Sequence, residues 1–255
     1  MIDNRTMTTM TGEPHAAGKA AKVLAAAEEL FLVHGFKGVT MSAVAQRAHV
    51  GKGTPYLYWR TKEDLFIELV ARSLADTLDD LAARVGEEPS LAVAGHLVPT
   101  VAEAWLARPL VRALQVSDDA FLGALLDNPR TRAILAENGA PAVLRRLLPI
   151  WREHGSIRTD RSPDVQASAL ELLAAGFFAT QSRSASTGAD PDRASVLRIA
   201  VADVLDARGP DNSKQLATKI GAALQAHAQH LRDSTNEQTQ ASMSTEASID
   251  TLARA

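Results

Sequence analysis

Apolar residues in this chain recur at intervals of three and four, and nowhere do β-branched residues alternate with polar ones. Val23, Leu24, Ala27, Leu30 and Phe31 make one such stripe, and Leu65, Phe66, Leu69, Leu74, Leu78 and Leu81 make a longer one. That periodicity points to an all-α fold. The apolar share of 46% is mostly Ala, Leu and Val, with aromatics at only 4%, which favours helices over strands. Cysteine is absent, so disulfides and Cys-ligated zinc are excluded. No apolar run approaches the roughly 20 residues of a membrane helix. The opening MIDNRTMTTMTGEPH lacks the apolar region of a secretory signal. The expectation is a cytoplasmic protein without membrane contact.

Punctuation divides the stripes. A polar tail over 1–15 precedes a helix from Ala16 to His34, with Gly35 as its stop. TMSAVAQRAH reads as a short helix with Thr40 as N-cap and Val44 and Ala45 facing inward. VGK is a turn, and GTPYLYW reads as a third short helix. Thr61 and Asp64 resemble a capping box that opens a long helix ending near Gly86. Further helices are expected over 90–107, 118–127, 129–138, 141–154, 164–184, 191–207 and 213–232, the first kinked by Pro99 around Gly95 or His96. The polar, low-complexity end over 233–255 is expected to be disordered.

Two short helices joined by HVGK form a helix-turn-helix, whose second helix suits the major groove of DNA. Charge supports a polyanion partner. Lys37, Arg47, Lys52, Arg60 and Lys62 fall in a segment without Asp or Glu, a local +5 that leaves −8 on the rest of a chain of net charge −3. The hydroxyls of Thr40 and Ser42, with the free N–H groups of the helix start, suit a phosphate. Lys52, Thr54, Tyr56 and Tyr58 can donate to phosphates or bases, and Lys62 adds a cation. Leu57 shares the third helix and has no assigned role.

Across Lys22–Leu69, KVLAAAEELFLVHGFKGVTMSAVAQRAHVGKGTPYLYWRTKEDLFIEL resembles, without a gap, the DNA-binding domain of the TetR family of bacterial transcriptional regulators. EHGSIRTDRSPDVQASALELLAAG, from Glu153 to Gly176, is similar to the link before the penultimate helix of that family. The resemblance implies a helix-turn-helix domain over 16–66 and a larger helical effector-binding and dimerisation domain over 67–232. It implies a homodimer on a partly palindromic operator of double-stranded DNA, released when a small-molecule effector binds. Thr40, Ser42, Lys52, Thr54, Tyr56, Tyr58 and Lys62 occupy positions that touch DNA in the family. Tyr56 and Lys62 are expected on phosphates, and Lys52, Thr54 and Tyr58 on bases; Trp59 reads as core.

Two residues depart from the family pattern. His49 replaces the usual turn glycine, where positive φ is needed, and Pro55 replaces an apolar Leu or Val. Pro55 is expected to bias Thr54 away from helical ψ and displace the helix start. A lipophilic effector would find walls in His96, Trp105, Phe121, Trp151, Phe177 and Gln181. Phe177 and Phe178 also suit a dimer interface. His227 and His230 read as a solvated surface pair without a third metal ligand, and His154 beside Glu153 is equally unsupported. The chain lacks a Gly-rich phosphate loop, GxSxG and HExxH, so no enzyme activity, metal or cofactor is expected. The rival reading is an all-α sensor or interaction protein whose altered turn binds DNA weakly and without sequence preference.

Overall fold

The computed structural model describes residues 13–115, 129–181, 192–205 and 213–253, and these are helices joined by turns with no strand among them. They fall into two compact units, Met1–Leu69 with Glu237–Ala255 and Val70–Asn236.

In the first unit, α1 spans Glu13–Gly38 and α2 spans Met41–Arg47. Gly35 interrupts α1 with φ 65° and ψ 175°, the stop its sequence position implies. The interruption brings Phe36 back to the core. Phe31, Phe36 and Phe66 form a ring cluster with centroids 4.9–5.8 Å apart, two of the three contacts edge-to-face. Val23, Leu24, Ala27, Val44, Ala45, Trp59 and Leu65 are buried with them.

Helix α3 spans Lys62–Glu87 and continues into the second unit. It is followed in the chain by α4 (Ala94–Ala107), α5 (Pro109–Gln115), α6 (Pro129–Asn138), α7 (Ala140–Glu153), α8 (Pro163–Gln181), α9 (Arg193–Leu205) and α10 (Ser213–Ala253). The helix expected over 118–127 lies outside the described residues. Pro99 leaves α4 helical from end to end, and the Thr100 hydroxyl donates to the His96 carbonyl at 2.8 Å. Within this unit α4 packs on α9, and α8 lies against both α7 and α9. The second resemblance, Glu153–Gly176, contains a stitched loop. Buried Gln166 donates to the Arg158 carbonyl at 2.7 Å and accepts from Arg152, which also donates to the Arg161 carbonyl.

One helix differs from the sequence expectation. Helix α10 continues to Ala253, through the polar stretch expected to be disordered. No glycine or proline follows Gly221, so nothing local stops it. Its apolar stripe, Leu216, Ile220, Leu224 and Leu231, is buried within this chain. On the same helix Arg232 pairs with Asp76 and Asp79 of α3 at 2.9 and 2.7 Å. Burial opposes the charge of Arg232, but the hydrogen bonds it donates to Asp79 and Asp76 outweigh that and raise its pKa.

Candidate nucleic-acid interface

Thr40 has extended backbone, φ −121° and ψ 153°, and its Oγ1 accepts the Ala43 N–H at 3.2 Å. This is the N-cap its sequence position implies, and it leaves the hydroxyl hydrogen to donate outward. At the other end of α2 the Ala48 cap is followed by His49 at φ 55°. The His49 N–H donates to Gln46 O at 3.2 Å and the Val50 N–H to Ala45 O at 3.0 Å. That pair of bonds is a Schellman motif, with His49 as its left-handed residue. Helix α7 ends the same way, Gly155 at φ 62° donating to Arg152 O and Ser156 to Trp151 O. One motif thus has the permissive glycine and the other a strained histidine.

The segment after the turn is shorter than its sequence implies. Instead of a helix across GTPYLYW, one 3₁₀ turn spans Pro55–Leu57. Pro55 has no N–H to donate, and Gly51 and Gly53 disfavour helix. The bonds that form are mainly i to i−3: Thr54 to Gly51 O, Leu57 to Thr54 O and Tyr58 to Pro55 O, at 2.8–3.1 Å. Thr54 holds helical angles, φ −59° and ψ −44°, against the pre-proline expectation, because its N–H and carbonyl are both engaged in those bonds. Pro55 is buried, so it fills the apolar position it occupies.

Around this turn Thr40, Ser42 and Lys52 are exposed, and Thr54, Tyr58 and Lys62 are half-buried. Tyr56 is 56% exposed and does not join Trp59 and Phe31 in the core. Trp59 is buried, its ring tilted against Tyr58 at 5.4 Å and its Nε1 donating to buried Glu68 at 2.6 Å. The Lys62 ammonium donates to the Phe36 carbonyl at 2.8 Å and stands 4.2 Å over that ring. Arg47 pairs with Glu29 of α1. Thr61 and Asp64 close the capping box: the Thr61 hydroxyl donates to Asp64 at 2.8 Å, and the Asp64 N–H donates to Thr61 Oγ1 at 3.1 Å. Sequence reasoning left Leu57 without a role, and it is exposed on the turn itself.

Of the six residues suggested for an effector pocket, four have described side chains. His96 is exposed beside Pro99, Glu103, Ser195 and Arg198. Trp151 is core, its Nε1 donating to the Ala92 carbonyl at 2.8 Å. Phe177 is buried edge-to-face against Phe178 at 5.7 Å, under an apolar groove between α8 and α9. Trp105 is fully buried, and its indole N–H has no acceptor among the described residues. Phe121 and the side chain of Gln181 lie outside the described residues. His227 is buried, not solvated as its spacing from His230 suggests, and neither ring nitrogen has a partner among the described residues. His154 has its Nδ1 2.9 Å from the Ile150 carbonyl. No cluster of three or more metal-ligating side chains occurs among the described residues, and no helix among them is long and apolar enough to cross a membrane.

A capped α2, a left-handed turn and a short following turn define a helix-turn-helix domain. The family described as "Bacterial regulatory proteins, tetR family" matches residues 23–69. Residues 23–69 are thus similar to the N-terminal domain of that family. Over 69 residues it is 41% identical to YhgD of Bacillus subtilis strain 168, an uncharacterised HTH-type transcriptional regulator, covering 27% of this chain and 35% of that protein. It is 33% identical over 72 residues to YdeS of the same organism, another uncharacterised regulator of this type, covering 28% and 36%. The matches span about a third of these relatives' length. A solved TetR-family regulator of Mesorhizobium loti superposes with a TM-score of 0.51 at 18% identity, covering 83% of this chain and 96% of that one, a likeness of fold.

Proposed function

We propose that the chain is a homodimeric transcriptional repressor that grips a partly palindromic operator and releases it when a lipophilic effector binds the helical unit. The observation that carries this reading is the exposed polar set at the turn: Thr40, Ser42, Lys52 and Tyr56, with Thr54, Tyr58 and Lys62 half-buried beside them. Tyr56 and Lys62 serve phosphates, the ammonium keeping two of its three donors after Phe36 takes one. Lys52, Thr54 and Tyr58 serve base edges. A second copy would cover Val165 and Leu172 of α8 and Val196 and Ile199 of α9, each more than half exposed. The indole N–H of Trp105, without an acceptor among the described residues, supports an effector site in the second unit, since an unmet buried N–H costs about 1–3 kcal/mol until a ligand supplies an acceptor. Operator binding would hold the protein at the nucleoid.

The reduction of the expected third helix to one 3₁₀ turn favours a second reading, a sensor that contacts phosphates without reading sequence. Selection from a random duplex pool at near-physiological salt separates the two. The repressor reading expects an enriched inverted repeat, half-sites roughly 34–36 Å apart, bound roughly 10³-fold or more above bulk DNA. A pool that stays random, bound only through its salt-sensitive phosphates, establishes the second reading.

A further inference from the structure

The 3₁₀ turn aims its residues in two ways. Pro55 is buried below it, as is Trp59 just beyond, while Tyr56 and Leu57 are 56% and 62% exposed. Tyrosine at such a place has a hydroxyl to give to a phosphate or a base. Leucine has nothing polar to give, and the unit's apolar core is already formed without it. Its surroundings in the chain are cations and hydroxyls: Lys52, Thr54, Tyr56, Tyr58, Arg60 and Lys62, in a segment of charge +5. That charge suits a polyanion rather than an apolar protein partner. A DNA duplex has one apolar group on its major-groove base edges, the C5-methyl of thymine. We infer that Leu57 is a specificity-determining residue that packs on a thymine methyl in each half-site. This deepens the proposed function and rests on its DNA-reading part.

The test takes the duplex recovered by selection from a random pool and replaces its half-site thymines, one symmetric pair at a time, by deoxyuridine. That change removes the methyl and leaves every hydrogen-bonding group in place. The full-length chain is expected to bind one such duplex about three- to five-fold more weakly per half-site, the worth of one buried methyl. Leu57→Ala is expected to bind the thymine duplex more weakly and to treat thymine and deoxyuridine alike. Leu57→Met, which keeps an apolar tip, is expected to retain the discrimination. Matched thermal melting of the three proteins excludes a folding defect. The inference is overturned if no thymine responds, if the half-site contains none, or if Leu57→Ala discriminates as well as the parent. A selection that enriches no sequence overturns DNA reading itself, and Leu57 with it; an enriched repeat indifferent to the methyl overturns Leu57 alone.

Discussion

Lys62 and Phe36 hold each other twice: the ammonium donates to the Phe36 carbonyl at 2.8 Å and lies 4.2 Å above its ring. Lys62 therefore ties the start of α3 to the end of α1. A cation–π contact and a charge-assisted hydrogen bond together support about 1–3 kcal/mol. Lys62→Ala is expected to lower unfolding free energy by that amount in urea titration. If Lys62 also meets a phosphate, the same change reduces the slope of log affinity against log salt by about one unit, measured well below the melting transition. Lost stability with an unaltered slope would make Lys62 a brace and remove it from the contact set. Lys52→Ala is the control, expected to weaken sequence preference with stability unchanged.

His49 and Gly155 fill the same place in two Schellman motifs, so the second supplies the reference for the first. Left-handed backbone costs a histidine less than most side chains, but it still costs. His49→Gly is expected to raise stability by about 0.5–1 kcal/mol, part of the relief being offset by the greater entropy of glycine in the unfolded chain. His49→Val is expected to lose more than about 1 kcal/mol, because a β-branched residue fits this conformation worst. Unchanged DNA affinity in His49→Gly would confine the histidine to a structural role. A ten-fold weakening would show that its side chain reaches the groove.

Local signals carried most of the fold. Thr40 with Ala43, Thr61 with Asp64, and Gly35 are capping and stopping residues whose partners lie within three or four positions, so the sequence shows them directly. The reading turn was less legible. Its helix-like composition depends on whether each carbonyl finds an N–H four residues on, and Pro55 and two glycines deny that. The surroundings of Trp151 were hidden for another reason: its partner, the Ala92 carbonyl, lies 59 positions away, beyond any periodicity. His227 could have been found. It stands three residues after Leu224 and four before Leu231, within the buried stripe.

The exposed apolar residues of α8 and α9 give the dimer a definite test. Leu172→Asp with Ile199→Asp would place charges where the proposed second copy must exclude water. The pair is expected to weaken dimerisation at least about 100-fold, or about 2.7 kcal/mol, by sedimentation equilibrium. Both side chains are exposed in the single chain, so its helical circular dichroism should stay the same. Binding to an inverted repeat should fall with the dimer, while binding to a lone half-site should not. A double variant that remains dimeric puts the interface elsewhere.

His227 gives the second unit a pH dependence of known sign. Burial, reinforced by the positive charges of Arg146 and His230, pushes its pKa down to about 4 from 6.5. Above pH 6.5 the imidazole is neutral in both folded and unfolded chains, and its contribution is constant. Between pH 6.5 and 4 the unfolded chain takes up a proton that the folded chain refuses, so stability falls as pH falls. Below pH 4 both states are protonated and the loss from this residue stops growing. The full loss is at most roughly 3 kcal/mol, at about 1.36 kcal/mol for each ten-fold difference in proton affinity between the two states, and solvent screening reduces it. The measurement is urea unfolding of the parent and of His227→Phe at pH 7 and pH 5. The variant is expected to close part of the gap between the two pH values, because phenylalanine keeps the ring buried and takes no proton. Equal pH dependence in the two proteins would mean that His227 meets a donor or acceptor, water included, that holds its pKa near the ordinary value.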